Sequence, residues 1–207
     1  MFGAKMNSHE EAQPNTALEI LLVDDDAKRV EIFEAGLAGK AILRRISELT
    51  TSAVLAETDA QAVDILIISR QLPDSAMIKT IEELARVRPM PVAVFVETEL
   101  DDLARRAIRA GASGYIVKGL AADRVATVVD VTIERFRLTD ALLKELSRSK
   151  SDLESRKLIE KAKGLLMEQR GVSEHAAYEA LRKMAMARGK PMREIAETIV
   201  AISNILP

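Results

Sequence analysis

The chain has 207 residues, enough for one large or two modest domains, and 48% of them are hydrophobic, so a substantial core is expected. It contains no cysteine, which excludes disulfides, thiolate metal sites and cysteine nucleophiles, and its two histidines are too few for a histidine-rich metal site. The net charge of −2 is unevenly distributed along the chain. Residues 17–121 include 13 basic and 17 acidic residues, whereas residues 155–207 include 10 basic and 6 acidic residues.

The first segment, residues 1–16, is polar and lacks the apolar centre of a signal peptide, so it is predicted to be a flexible tail. No apolar run in the sequence approaches the roughly 20 residues that a membrane helix needs. We therefore expect a cytoplasmic protein with no membrane partner.

Strand patterns alternate with helical patterns from residue 17 to residue 121. Apolar runs typical of buried strands lie at residues 18–23, 65–69, 92–96 and 114–118. The ambiguous stretch 41–58 is expected to hold one more short strand and a helix. Further helices are predicted at residues 28–38, 75–87 and 99–110. This alternation predicts an α/β fold, a doubly wound domain with a parallel five-stranded sheet.

Polar or charged residues stand where three of the predicted strands end, and an apolar residue ends a fourth. Asp24 and Asp25 follow the first strand, Ser69 ends the third, Val96 the fourth and Lys118 the fifth. The carboxyl ends of parallel strands meet at one edge of the sheet, where α/β proteins gather their functional groups. The sequence therefore places these five residues around one pocket.

This arrangement resembles the response-regulator receiver domain over about residues 17–121. In that family the acidic pair binds Mg²⁺ and an aspartate on the third strand accepts a phosphoryl group. A Ser or Thr on the fourth strand and a Lys on the fifth then read the phosphate. Asp24, Asp25 and Lys118 match this pattern, whereas Ser69 stands at the phosphoacceptor position and Val96 at the hydroxyl position.

The two mismatches remove the chemistry that the resemblance would otherwise imply. Phosphoryl transfer of this kind needs a carboxylate nucleophile and acidic ligands for Mg²⁺, and a neutral Ser69 supplies neither. We therefore expect a degenerate receiver without catalytic residues, metal or cofactor. Asp24, Asp25 and Lys118 are expected to remain as an ion-pair cluster that fixes the strand ends.

A long helix is predicted from residue 122 to residue 154, because neither Pro nor Gly interrupts the chain before Gly164. Its apolar or small positions follow heptad spacing over four repeats: Val125, Val129, Thr132, Phe136, Thr139, Leu143, Leu146, Lys150 and Leu153. The preceding domain is large enough to cover the first three turns of such a helix, but not all of its roughly 45 Å. We therefore expect a protruding coiled-coil helix that forms a homodimer.

The last fifty residues are predicted to form a bundle of three amphipathic helices, with stops at Gly171 and Gly189 and an N-cap at Ser173. Residues 155–207 resemble the ANTAR domain, an RNA-binding antitermination module. The matching segments are AKGLLM at 162–167, RGVSEHAAY at 170–178, LRKMAM at 181–186 and IAETI at 195–199.

Within this module the matched positions that carry a charge are Lys163, Arg182 and Arg188, and these are the candidate RNA-binding residues. Lys163 and Arg182 are expected to project away from the core, and Arg188 to lie on its side at a frayed helix end. Cations there suit the phosphates and guanine edges of a folded RNA, although solvated side chains explain them equally well. With Tyr178 as the one aromatic residue of the module, we expect no aromatic stacking platform.

Two further positions have structural interpretations in the predicted bundle. Met186 is assigned to the core together with Ala162, Leu165, Leu166 and Ala185, and Gly164 to a close approach between helices.

The whole chain is similar to the nitrate/nitrite-responsive (NasT-like) receiver–ANTAR antiterminators of bacteria. The resemblance implies a dimer that binds paired hairpins in a leader RNA, controlled by a nitrate/nitrite-sensor-like regulatory protein rather than by phosphorylation. Two alternatives stay open from the sequence: a phosphorylation-dependent DNA-binding regulator, and a protein-interaction scaffold without RNA affinity. An enzyme is not expected, because the sequence has no nucleophile–base pair and no glycine-rich phosphate loop.

Overall fold

The computed structural model describes residues 17–98, 100 and 102–203. The predicted tail, residues 1–16, lies outside the described residues. The chain consists of two compact units, with the boundary between Thr139 and Asp140. Within the described residues, no helix is both long and apolar enough to cross a bilayer.

The first unit contains a five-stranded parallel sheet with strand order β2-β1-β3-β4-β5. Its strands are β1 (Leu18–Val23), β2 (Ala41–Ile46), β3 (Ile65–Arg70), β4 (Val92–Val96) and β5 (Gly114–Val117). The helices between them are α1 (Ala27–Leu37), α2 (Thr51–Ala60), α3 (Ser75–Val87) and α4 (Leu103–Ala110). The α/β fold with a doubly wound, five-stranded parallel sheet is thus confirmed, including the strand and helix expected in the ambiguous stretch.

The three central strands, β1, β3 and β4, are largely buried on both faces, which is why they are nearly continuous apolar runs. Ile65, Leu66, Ile67 and Ile68 of β3 are all 0% exposed, alternating between two core clusters on opposite sides of the sheet. Burial of each such side chain contributes about 1.5–3 kcal/mol. Phe33 of α1 and Phe95 of β4 meet edge to face, with ring centroids 5.2 Å apart.

A single helix, α5 (Ala122–Arg170), extends through 49 residues. The predicted linker helix and the first helix of the predicted module are therefore one continuous element. Its first turns belong to the core of the first unit, where Val125 and Val129 are buried. Gly36 of α1 permits this packing, because a Cβ there would lie 2.5 Å from the carbonyl oxygen of Ala122.

The second unit packs the last part of α5 against α6 (Glu174–Arg188) and α7 (Met192–Ser203). Ser173 caps α6, since its side chain accepts a hydrogen bond from the backbone N–H of Ala176. Gly171 and Gly189 end α5 and α6 in the left-handed region, with φ of 61° and 60°. The core of this bundle is formed by Ala162, Leu166, Ala177, Leu181, Ala185, Ile195, Ala196 and Val200.

Candidate functional site

The carboxyl edge of the sheet contains a buried ion pair between Asp24 and Arg29. Asp24 is 0% exposed, and its Oδ1 and Oδ2 accept hydrogen bonds from Arg29 Nη2 at 2.6 Å and Arg29 Nε at 3.1 Å. The backbone N–H of Asp26 donates to the same carboxylate at 2.9 Å. The hydrogen bond to Asp24 raises the pKa of the Arg29 guanidinium. Both oxygens of the carboxylate are therefore engaged by partners within the chain.

The neighbouring carboxylates belong to the same cluster. Asp25 lies 3.0 Å from Arg29 Nη2 and 3.3 Å from Arg70 Nη1. Asp26 caps α1 through hydrogen bonds from the backbone N–H groups of Arg29 and Lys28, which lower the pKa of its carboxyl. The carboxylates of Asp24 and Asp25 are thus paired with Arg29 and Arg70.

Lys118 does not join this cluster. It follows β5 with a left-handed φ of 51°, its side chain is exposed, and in the described part of the chain it forms no ion pair with Asp24 or Asp25. The expectation that Lys118 pairs with these carboxylates is therefore wrong. Arg29, on the first turn of α1, lies five residues after Asp24 and four after Asp25 and donates hydrogen bonds to both carboxylates.

Ser69 and Val96 are both buried at this edge. Ser69 is 1% exposed, and its hydroxyl has no hydrogen-bond partner among the described residues. It pairs in register with Phe95 of β4 and lies next to Arg70, the last residue of β3. Val96 is 3% exposed and packs in an apolar core cluster. Neither side chain offers a nucleophile activated by a neighbouring base.

The Mg²⁺ that the receiver resemblance implies does not fit these residues. A guanidinium already binds both oxygens of Asp24, and Ser69 replaces a carboxylate ligand by a neutral hydroxyl. No group of three or more His, Cys, Asp or Glu side chains within the described ranges is arranged to hold a metal ion. The adjoining cleft, about 530 Å³, is lined by Asp25, Asp26, Arg29, Arg70, Gln71, Leu72 and Asp74.

Sequence reasoning missed Arg29 and Arg70 as residues of this pocket. The signal for Arg29 was its spacing in VDDDAKR, which places it four residues after Asp25 on the first turns of α1. Arg70 is adjacent to Ser69 at the strand end, where parallel strands present their functional side chains.

In the second unit Lys163 is buried rather than projecting away from the core. Its side chain is 9% exposed, and its Nζ donates to Glu160 at 2.8 Å and to Glu174 at 2.6 Å. The expected outward orientation is therefore wrong, because Glu174 in the first turn of α6 draws the ammonium into the α5–α6 contact. Lys163 joins the two helices by a charge-assisted hydrogen bond.

The other two candidates are exposed. The Arg182 side chain is 58% exposed, with a long contact of 3.5 Å to Glu179. Arg188, the last residue of α6, is also exposed rather than turned to the core side.

Two structural interpretations in the module are also wrong. Met186 is 72% exposed and not in the core. A Cβ added to Gly164 would meet nothing within 4 Å, so this glycine does not permit a close approach between helices.

The apolar stripe of α5 divides into a buried and an exposed part. Val125, Val129 and Thr132 are buried, and Phe136 is partly buried. Beyond them the helix exposes large apolar side chains: Leu138 at 65%, Leu142 at 66%, Leu143 at 60%, Leu146 at 51% and Leu153 at 54%. These residues form an apolar surface that no described part of the chain covers.

The chain matches two family models in succession. Residues 20–130 match the response regulator receiver domain and residues 147–200 match the ANTAR domain. The chain belongs to the receiver–ANTAR family of regulators. Members of this family are regulatory rather than catalytic proteins, acting in transcription antitermination.

Individual relatives of this receiver–ANTAR chain cover different shares of its length. The transcriptional regulatory protein PdtaR of Mycobacterium tuberculosis is 33% identical over 137 residues, covering 66% of this chain and 67% of that protein. The nitrate regulatory protein of Klebsiella oxytoca is 48% identical over 61 residues, covering 30% of this chain and 15% of that protein. The solved receiver domain of a putative LuxO repressor from Vibrio parahaemolyticus has a TM-score of 0.51 at 20% identity, covering 61% of this chain and 98% of that one, which shows the fold alone.

Proposed function

We propose that this chain is a cytoplasmic transcription antiterminator that binds paired hairpins in a leader RNA as a dimer. The observation that carries the proposal is the ANTAR match over residues 147–200, which coincides with a bundle whose α6 exposes cations. The proposed division of work follows the chain: a tail at 1–16, a docking domain at 17–121, a dimerisation helix at 122–154 and an RNA-binding module at 155–207.

Arg182 and Arg188 are the proposed RNA contacts. Both are exposed, and guanidinium groups bind phosphates and guanine edges through paired hydrogen bonds. The surface pair of Arg182 with Glu179, at 3.5 Å, costs little to exchange for a phosphate. Lys163 acts indirectly in this proposal, by holding α6 against α5.

The exposed leucines of α5 support dimerisation. Apolar side chains at heptad spacing are stabilised when a second helix covers them. Two RNA-binding modules in one dimer raise the effective concentration of the second module once the first is bound. A pair of hairpins is thus a better ligand than one hairpin, since a bundle of this size makes few phosphate contacts.

Control by a ligand-sensing partner protein rather than by phosphate is supported by the pocket. Arg29 binds the acidic pair, and Ser69 replaces the phosphoacceptor. The 48% identity to a nitrate regulatory protein over 61 residues favours a nitrate/nitrite-sensor-like partner. In this proposal the receiver-like domain is a docking surface.

Pull-down of the full chain from cell lysate, followed by identification of bound RNA and protein, tests the proposal. The recovered leader RNA is then competed against duplex DNA of the same sequence. We expect RNA with two hairpins to be retained and duplex DNA to be displaced. Preferential binding of duplex DNA would support a DNA-binding regulator. Recovery of proteins without any nucleic acid would support a protein-interaction scaffold.

A further inference from the structure

A groove lies at the β5 edge of the sheet in the first unit, between α4, β5 and the first part of α5. It has a volume of about 580 Å³, and its lining includes three arginines and three large aliphatic or aromatic side chains: Arg105, Arg109, Arg135, Ile108, Tyr115 and Val117. We call this surface the α4–β5 groove. Its arginines are exposed, whereas the two strand residues are partly buried, so a cationic rim surrounds a more apolar interior.

The charges of the three arginines are not neutralised by any acid that the structure describes, since none of them forms an ion pair there. Helix α4 itself contains three arginines and no carboxylate. Glu134, adjacent to Arg135 on α5, is engaged by Arg137 at 2.6 Å. Glu97 and Asp102, which precede α4, do not line the groove. The groove therefore presents three guanidinium groups that are open to an anionic ligand.

The cleft at the carboxyl edge of the sheet differs in this respect, because its arginines are already paired. Arg29 binds Asp24 and Asp25, and Arg70 binds Asp25. An acidic ligand in that cleft would have to displace these carboxylates. In the α4–β5 groove the same ligand gains charge pairs without breaking a described one, and Ile108, which is 43% exposed, adds apolar area to cover. Of the two surfaces, the groove is thus the better place for an acidic partner.

The mixture of cationic and apolar lining selects the kind of occupant. A carboxylate accepts paired hydrogen bonds from a guanidinium group, and an apolar side chain next to it covers Ile108 and Val117. Phosphates of an RNA backbone would satisfy the arginines equally well, but they bring only charge and sugar to the apolar interior. Protein interfaces combine buried apolar anchors with arginine at their centre. The lining therefore favours an acidic protein segment that also carries apolar residues.

We propose that the α4–β5 groove docks an acidic segment of the ligand-sensing partner protein, with carboxylates on Arg105, Arg109 and Arg135 and an apolar side chain against Ile108. This inference rests on the proposed control by a partner protein and adds the surface and the chemistry of that contact. Because the cations lie at an exposed rim, the contact weakens as the salt concentration rises.

The test uses the full-length chain and a phage-displayed library of random peptides. The library is first depleted on the triple variant Arg105→Gln, Arg109→Gln, Arg135→Gln and then selected on the wild-type chain. We expect the enriched peptides to combine Asp or Glu with apolar residues. One of them is synthesised with a fluorescent label, and its affinity for each variant is measured by anisotropy.

Single substitutions separate the charged and the apolar part of the contact. Arg109→Gln is expected to lower the affinity for the selected peptide by about tenfold or more. Ile108→Asp should lower it as well, because a carboxylate then faces the acidic peptide. Arg86→Gln removes the same charge from α3 at a position that does not line the groove, and it should bind within about twofold of the wild type.

Charge reversal distinguishes a direct contact from a general loss of positive charge. Each acidic residue of the selected peptide is replaced in turn by Arg, and every such peptide is measured against the wild type and Arg109→Glu. We expect one of these peptides to bind Arg109→Glu more tightly than it binds the wild type. If no reversed peptide does so, Arg109 does not pair with a carboxylate of the peptide, and the inference is overturned.

The same variants separate this inference from the proposed function. The two-hairpin RNA should bind Arg109→Gln like the wild type, and loss of RNA binding in this variant would make the groove a nucleic-acid contact and overturn the inference. If the wild type binds RNA but enriches no peptide over the triple variant, the inference fails and RNA binding stands. If the peptide binds in the groove but the chain retains no RNA, the docking surface stands and the proposed antiterminator function fails.

Discussion

Arg29 and Asp24 form a two-pronged ion pair around a carboxylate that is fully removed from solvent, with N···O distances of 2.6 and 3.1 Å. Removing the guanidinium leaves a buried, unpaired negative charge. We therefore expect Arg29→Met to lower the free energy of unfolding by about 3–5 kcal/mol. Urea unfolding followed by circular dichroism measures this difference.

Two variants control for the loss of a side chain as such. Asp24→Asn in the Arg29→Met background removes the unpaired charge, so most of the lost stability should return. Arg86→Met breaks an exposed pair with Glu83 and should change the free energy of unfolding by less than about 1 kcal/mol. Equal losses of unfolding free energy in Arg29→Met and Arg86→Met would show that the buried ion pair stabilises the fold no more than the exposed one.

We do not expect the receiver-like pocket to accept a phosphoryl group. Incubation with acetyl phosphate and Mg²⁺ should yield no stable adduct by intact-protein mass spectrometry, because Ser69 has no neighbouring base and Arg29 binds the acidic pair. The Tm of the Ser69→Asp variant should not change when Mg²⁺ is added. The double variant Ser69→Asp, Arg29→Gln should have a Tm that rises with Mg²⁺. A stable adduct on the wild-type chain would refute partner-only control.

Four strands of the sheet were predictable because they are largely apolar runs, whereas the edge strand β2, with Arg44 and Arg45, lay in a stretch whose pattern was ambiguous. At the carboxyl edge of the sheet, the positions of Asp24, Asp25, Ser69 and Val96 were predictable, since a strand-end position is set by local sequence. Which cation neutralises Asp24 depends on distances between side chains, and Arg29 reaches it where Lys118 does not. Such a choice between two nearby cations leaves no periodic signal in the sequence.

Lys163 shows the same limit in the helical module. Its position among apolar neighbours in AKGLLM predicted a projecting cation. The structure places its ammonium between Glu160 and Glu174, and Glu174 is eleven residues away on another helix. Burial of a charged side chain by a distant partner is a tertiary effect that helical spacing does not encode.

The Lys163–Glu174 contact predicts a pH dependence. The hydrogen bond from Lys163 lowers the pKa of Glu174 below its ordinary 4.5, so this carboxyl stabilises the fold above that value and loses its contribution as the pH falls through the lowered pKa. The hydrogen bond to Glu160, and to a smaller extent the one to Glu174, raises the pKa of Lys163 above its ordinary 10.5. The ammonium therefore contributes its full stabilisation of the fold below that value, and this stabilisation is lost as the pH rises through the raised pKa.

We therefore expect Glu174→Gln to lower the Tm near neutral pH and to lose this effect in strong acid, where the wild-type carboxyl is protonated as well. Thermal unfolding of both proteins across the pH range measures the difference. Glu168→Gln is the matched control, because Glu168 is exposed and forms no ion pair in the described part of the chain. A Tm difference that persists unchanged into strong acid would contradict a stabilising role of the Lys163–Glu174 ion pair.

Salt dependence distinguishes a cation that touches RNA from one that positions a helix. Arg182→Gln should reduce the slope of log affinity against log salt by about 0.7–0.9, the value for one lost phosphate contact. Lys163→Gln should lower the Tm and leave that slope unchanged. Lys79→Gln removes the same charge from α3 of the first unit and should change neither. A reduced slope for Lys163→Gln would show that Lys163 itself contacts an RNA phosphate.

The exposed leucines of α5 predict where the dimer forms. Leu143 and Leu146 are 60% and 51% exposed and both lie on the heptad stripe, so a charge at either position would be buried in a helix pair. Leu146→Glu should shift the protein towards monomer in sedimentation equilibrium and leave its Tm in dilute solution nearly unchanged, because no core contact is lost. Ala141→Glu places the same charge at an exposed position of α5 that points away from the stripe, and it should leave the association constant unaltered. Equal dissociation by both variants would place the dimer contact elsewhere.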